Sequence, residues 1–360
     1  MSQSQPFELF LRSWTAPKEG NRPEQNDDGA RTESLSTAED ARMALIAVAD
    51  GATEAVHSGL WARALVAAAE PDWPTLDDDE LNARLDRIRR AFAPIGQGAK
   101  IPWYVREKFA TQGSQATLLT AILESAADED DVSVQAVAVG DCCLVLFKAD
   151  GEVCTFPVDS SKDFGVHPAL VANRPQTSLD YRRWESRVQI GDVLIACTDA
   201  LGKWILQCVE SSQTGLLFAA LLGLLAVRPE SAGVTETQSA AANPEPTAKG
   251  SAPVEVQEED RSLIGRLQRL LRRFRRPERV PEPPKPDQPE DNPPAIPEPP
   301  SCPAWDFVEF IARYRAQESR PRMRDDNATL VLCLPVRAGN DAHLAVMETL
   351  RRRKEAGRKG

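Results

Sequence analysis

Apolar positions along this chain fall into two kinds of run. Six are short, bounded by turn residues, and rich in Val, Ile, Leu and Ala. They predict strands at 44–49 (ALIAVA), 132–139 (VSVQAVAV), 144–147, 153–156, 193–197 (VLIAC) and 329–334 (TLVLCL). The others predict helices, at 58–69, 79–93, 201–210, 215–227 and 305–317. Strands come in evenly punctuated groups with helices clustered between them. That alternation is too irregular for a doubly wound parallel sheet and predicts an α+β fold, an antiparallel β-sandwich flanked by helices. No internal repeat is visible.

The pattern breaks once. Between Pro229 and Pro303 lie more than half of the chain's 28 prolines, mixed with Ala, Glu, Ser and Thr. Such a stretch cannot bury enough apolar surface to offset its ordering entropy, so it is expected to be a disordered insertion. Within it, RSLIGRLQRLLRRFRR (261–276) places Leu263, Ile264, Leu267, Leu270, Leu271 and Phe274 on one helical face and arginines on the other. This segment suits docking to a membrane surface or an acidic partner; the plainer alternative is a solvated helix folded back on the chain itself. The run GLLFAALLGLLAV (215–227) is too short for a bilayer, which takes about 20 residues, and is expected to be a buried helix outside the sandwich. LRRRKEAGRKG at the C-terminal end reads as a frayed basic tail.

Length, 360 residues, allows one large domain or two ordinary ones, with core enough to need no disulfides. The formal charge of −11 argues against a protein that coats nucleic acid or anionic membrane along its whole surface. Seven cysteines without a C-x-x-C pair indicate neither a zinc ribbon nor a thioredoxin-type site, and three histidines without close spacing make an all-histidine metal site unpromising. The N-terminus lacks the basic start and apolar stretch of a signal peptide. A reduced, cytoplasmic protein is expected, monomeric and without nucleic-acid partners.

Several apolar strands run directly into or out of an aspartate: ALIAVA-Asp50-Gly51, VQAVAVG-Asp141, VLIACT-Asp199 and Asp325-Asp326-Asn327-ATLVLCL. Any one aspartate after a strand is more often a turn residue or helix cap, as expected of Asp150 and Asp192. Taken as a set, with no rival set of His or Cys ligands, they suggest a site for a hard cation. Mg²⁺ and Mn²⁺ take oxygen ligands and keep several waters, so a few carboxylates suffice.

At this point the sequence resembles the metal-dependent protein phosphatase 2C family. Val-Ala-Asp50-Gly51, Gly-Ser-Gln-Ala-Thr117, Val-Gly-Asp141, Thr-Asp199 and Asp-Asp326-Asn327-Ala-Thr stand in the family's order, and Arg22-Pro-Glu-Gln-Asn-Asp27 resembles its first motif. The resemblance spans residues 8–227 and 303–335. It implies a phosphatase 2C-like domain in two parts, 1–227 and 303–335, separated by the insertion 228–302 and followed by the tail 336–360. It implies two Mn²⁺ or Mg²⁺ ions bridged by Asp50, one completed by the Gly51 carbonyl. Asp199 and Asp326 would ligate the second ion, Asp27 would act through coordinated water, and Asp141 with Asp199 would match a weaker third site. Arg22 would hold the substrate phosphate. The implied reaction is hydrolysis of phosphoserine and phosphothreonine by a hydroxide bridging the two ions, in opposition to a protein kinase, in a bacterial signalling setting.

Several positions depart from the family pattern. Ala52-Thr53-Glu54 replaces the usual His- or Met-Gly-Gly, so Ala52 cannot act as a general acid. Asn26 stands where Glu or Gln is common, Ala200 replaces a glycine, and Lys203 replaces an acidic residue near the third ion's position. Two further readings therefore accompany the enzyme: a degenerate relative that binds a phosphoprotein without turnover, and a membrane-recruited scaffold resting on 261–276. His57 is expected to be a helix-entry residue, Cys197 a small core residue, and Trp61, Trp184, Trp204 and Trp305 packing anchors.

Overall fold

The computed structural model describes residues 7–36, 42–97, 101–125, 131–165, 168–176, 178–226, 306–316, 323–337 and 341–357. The insertion, the basic segment 261–276 and Trp305 lie outside the described residues.

Twelve strands and seven helices are described. The strands are β1 Phe7–Ala16, β2 Gly29–Ser36, β3 Arg42–Ala49, β4 Gln115–Ala116, β5 Leu118–Ser125, β6 Asp131–Val139, β7 Cys143–Phe147, β8 Val153–Phe156, β9 Val171–Ala172, β10 Arg182–Gln189, β11 Val193–Cys197 and β12 Ala328–Arg337. The helices are α1 Ser58–Ala68, α2 Asp78–Phe92, α3 Trp103–Thr111, α4 Asp199–Glu210, α5 Thr214–Ala226, α6 Phe307–Arg315 and α7 Ala342–Ala356. Two five-stranded sheets, ordered β1-β12-β11-β7-β8 and β10-β6-β5-β3-β2, are antiparallel throughout.

Side chains alternate across each strand, so one register settles which residues face the other sheet. Ala44, Ile46 and Val48 of β3 meet Leu194 and Ala196 of β11 and Val331 and Cys333 of β12 between the sheets. Leu45, Ala47 and Ala49 face outward onto Trp61, Leu65, Leu85 and Phe92 of α1 and α2. On the far side, Val145, Ile195, Leu330 and Leu332 pack against Trp204 of α4, Leu221 of α5, Phe310 of α6 and Leu350 of α7. The molecule is an α-β-β-α sandwich of the α+β class, as its hydrophobic pattern predicts.

The six predicted strands and five predicted helices all form, within a few residues at each end. Four long strands were not predicted, for two reasons. β1, β2 and β10 are sheet edges, so solvent reaches one face and one rim, and their text is as polar as GARTESLS and RRWESRVQ. β5 is central and reads LLTAILES, an unbroken apolar run that periodicity cannot tell from a helix.

The expected frayed tail is a correction. Residues 342–356 form α7, with Asp341 capping its first turn by accepting from the Leu344 N–H at 3.2 Å. Val346 and Leu350, four residues apart, are fully buried, and Arg353 donates to the carbonyls of Phe147 and Gly191. α7 lies against α5, where a Cβ on Gly215 would stand 3.2 Å from the Lys354 carbonyl. The apolar run of α5 is thus buried between sheet and helix.

Candidate active site

The strand registers bring distant residues to one end of the sandwich. Gly29 pairs with Ala49, Val48 with Leu119, Leu118 with Val139, Cys197 with Cys143 and Leu330, and Ala16 with Ala328. The chain therefore leaves β1, β3, β6 and β11, and enters β2, β5, β7 and β12, at the same rim. Asp28, Asp50, Asp141, Asp199 and Asp326 all sit at those strand ends.

Their fields overlap. Burial pushes Asp50 well above the usual carboxylate range, and the negative charges of Asp28, Asp199, Asp326 and Asp141 push it further. Asp141 rises to about 7 through burial and the charge of Asp199. Asp199 is raised by burial and by Asp326. Asp28 Oδ1 and Asp199 Oδ1 are buried without a hydrogen-bond partner. A buried unpaired carboxylate oxygen is costly unless a cation or donor meets it.

No apolar run marks Asp28 in the sequence, since it sits beside Asp27 and ahead of the polar edge strand β2. It is 4 % exposed. Its Oδ2 accepts from the Thr198 hydroxyl at 3.1 Å and the Thr329 hydroxyl at 2.8 Å, tying the starts of β2, α4 and β12 together. Burial raises its pKa to about 7 against those two hydrogen bonds. Thr198 precedes α4 but does not cap it with its side chain; its oxygen instead accepts the Thr329 N–H at 3.0 Å.

Asp27 points elsewhere. Its carboxylate accepts from the Gly59 N–H and the Ser58 side chain at the start of α1, a helix N-terminus where a negative charge is favoured. Burial still raises its pKa, partly offset by Arg63. Gly51 closes this corner. Its N–H donates to the Asp27 carbonyl at 3.2 Å, and a Cβ there would meet that oxygen at 2.7 Å. Asp50 is held by its own N–H, which donates to the Thr117 hydroxyl at 3.2 Å.

The departures from the family pattern find structural places. Asn26 is buried, donating to the Thr15 hydroxyl at 2.5 Å while its Oδ1 accepts the Asp28 N–H. The Ala52 N–H donates to the Gln115 carbonyl. His57 precedes α1 with φ 55° and sets its ring edge against Phe109; burial lowers its pKa. Arg22 is exposed on the loop between β1 and β2, and its side chain makes no ion pair among the described residues. Lys203 makes none either. The cation beside Asp199 is Arg324, from the loop before β12, at 3.6 Å.

That loop is fixed at both ends. Arg315 of α6 donates to the carbonyls of Arg324, Pro17 and Asp326 and pairs with Asp325. The Glu19 and Lys18 N–H groups donate to the side chains of Asp325 and Asn327 at 2.9 and 3.0 Å. Among the described residues no three Asp, Glu, His or Cys side chains already stand in a ligating group. By donor type the cluster is all carboxylate, the set that Mg²⁺ and Mn²⁺ accept, and two of its oxygens are unpartnered. Its residues fit such an ion.

No family model matches the chain, and no curated protein matches it. Among solved structures it is similar to the phosphatase domain of the cell fate determinant SpoIIE from Bacillus subtilis, with 11 % identity and a TM-score of 0.38 over 94 % of this chain and 96 % of that one. It is also similar to the serine/threonine phosphatase Stp1 from Staphylococcus aureus, with 11 % identity and a TM-score of 0.43 over 93 % and 98 %. A third is the catalytic domain of the serine/threonine protein phosphatase PstP, in complex with two manganese ions, at 17 % identity and a TM-score of 0.36 over 91 % and 100 %. At such scores no residue's role carries across, and the site rests on this chain's own residues.

Proposed function

We propose that the chain is a metal-dependent phosphoprotein phosphatase acting on phosphoserine and phosphothreonine, with Mn²⁺ or Mg²⁺ as its cofactor. The observation that supports this reading is the gathering of five aspartates from separate strand ends into one cluster with two orphaned, buried carboxylate oxygens. The motif order in the sequence points the same way.

In this reading Asp50, Asp199 and Asp326 hold the ions with the Gly51 carbonyl, and Asp141 contributes to a weaker third position. A bound divalent ion would supply Lewis acidity and lower the pKa of a coordinated water. The bonds of Asp28 Oδ2 to Thr198 and Thr329 keep Asp199 and Asp326 in register with Asp50, while its Oδ1 stays unpartnered in the cluster. Asp27 anchors α1 and Gly51 behind them. Arg22, exposed and uncommitted, is available to a phosphate. Residues 1–227 and 303–335 make up the catalytic unit, interrupted by 228–302, in a cytoplasmic, monomeric protein that opposes a kinase. Among the described residues no helix is long and apolar enough to cross a membrane.

Phosphate release from phosphothreonine and phosphoserine peptides, measured with Mn²⁺, Mg²⁺ and EDTA, tests this. Turnover should need a divalent ion and fall at least a hundredfold in Asp50→Asn and Asp199→Asn. Folded wild-type protein that binds phosphopeptide without turnover would instead select the degenerate binding reading, which draws on Ala52, Ala200 and Lys203.

A further inference from the structure

Besides the divalent ions and Arg22 of the reading above, a cation exposed at the edge of the acidic cluster would meet the dianionic phosphomonoester as it enters. Three arginines have fields that act on these acids, and one of them, Arg315, is spent on the carbonyls of Arg324, Pro17 and Asp326. Arg63 of α1 lies behind Asp27 and Asp28, with its guanidinium donating to the Asn26 carbonyl at 2.7 Å. Arg324 lies in front. Its Nη1 is 3.6 Å from Asp199 Oδ2, its side chain is 47 % exposed, and its charge acts on both Asp141 and Asp199.

The contact with Asp199 is loose. It is longer than the roughly 2.7–2.9 Å of a charge-assisted hydrogen bond, and the Arg324 guanidinium donates no hydrogen bond among the described residues. The backbone beneath it is held firmly. The Arg324 carbonyl accepts from Arg315 Nε at 3.3 Å, the Met323 N–H donates to the Tyr314 carbonyl at 3.1 Å, and Asp325 is held by Glu19 and Arg315. A fixed stem thus carries a guanidinium with uncommitted donors at the edge of the acidic cluster. It also lines a cleft of about 360 Å³ bounded by Glu19, Arg315, Met323 and Asp325.

We propose that Arg324 binds the phosphoryl group of the substrate. The inference rests on the reading of this site as one that takes phosphoprotein. The planar fork of arginine pairs two non-bridging phosphate oxygens at once, whereas lysine offers a single point of charge. The bland alternative is that Arg324 only offsets the negative charge of Asp199 and Asp141.

The two roles separate in calorimetry on the full chain loaded with Mn²⁺. The probe is a peptide carrying a non-hydrolysable phosphonate in place of phosphoserine. Arg324→Ala should weaken its binding at least tenfold and raise KM for a phosphothreonine peptide by a similar factor, with Arg324→Lys recovering part of the loss. Phosphonate affinity within twofold of wild type in Arg324→Ala overturns the inference, and so does tighter Mn²⁺ binding with unchanged phosphonate binding. Wild-type protein that binds no phosphonate peptide overturns it as well. Arg324-dependent binding without turnover would leave this inference standing and remove the phosphatase reading alone.

Discussion

At the residue scale, the site depends on atoms that tolerate no extra volume and on polar groups that must be shared. Gly51 shows the first. Its N–H reaches the Asp27 carbonyl, and the Cβ of an alanine would lie 2.7 Å from that oxygen and equally close to the Ser58 backbone. Neither neighbour is the end of a flexible side chain, so the backbone between Asp50 and α1 would have to move. Gly51→Ala is expected to reduce metal-dependent phosphate release at least tenfold and to lower the thermal midpoint, both measurable on purified protein. An unchanged rate would mean that the loop's position is immaterial to the chemistry. Asp28 shows the second. Its hydroxyl partners come from residues 170 and 301 positions away in the chain, so spacing in the sequence could not disclose it. Its immediate neighbour Asp27, which the family resemblance marks, has its side chain at the start of α1.

At the element scale, the polar edges and the C-terminal helix carry the lesson. A strand that is half solvated need not look like one, and β1, β2 and β10 do not; pairing partners from elsewhere in the chain supply what their composition lacks. α7 is similar: a helix rich in arginine whose docking depends on two buried residues. Leu350 is fully buried against the helical layer, whereas Leu344 on the same helix is 59 % exposed. Leu350→Ala should therefore cost about 2–5 kcal/mol and Leu344→Ala less than about 0.5 kcal/mol, measured by urea denaturation. Equal, negligible losses would return residues 342–356 to the status of a tail. α6 matters for a different reason. Through Arg315 it holds the loop bearing Arg324, Asp325 and Asp326, so the element that follows the proline-rich segment is also the one that sets one wall of the site.

For the whole molecule, the acidic cluster makes stability depend on pH in an unusual direction. Asp28 and Asp141 have folded-state pKa values raised from 3.8 to about 7, so between those limits the folded chain binds more protons than the unfolded one. Stability then falls as pH rises. In EDTA the thermal midpoint should drop between pH 5 and pH 8 as these protons leave. Divalent cations compete with protons for the same oxygens, so Mn²⁺ should raise the midpoint more at pH 8 than at pH 5. Differential scanning fluorimetry across that range checks both halves. A midpoint that rises with pH in EDTA, or Mn²⁺ without effect at pH 8, would contradict the cluster as described.

The sequence by itself determined the sandwich, because the short, turn-bounded apolar runs of β3, β6, β7, β11 and β12 mark strands with both faces buried. It also determined the candidate aspartates at Asp50, Asp141, Asp199 and Asp326, because each directly abuts an apolar run. Tertiary structure alone decided what those aspartates meet. Register placed all the strand ends on one rim, enclosed Asp28 between two threonines, turned Asp27 onto a helix start and set Arg324, rather than Lys203, beside Asp199. The physical reason is that hydrophobic periodicity is a short-range signal, whereas hydrogen bonds and ion pairs join residues that become neighbours only after the sheets have paired.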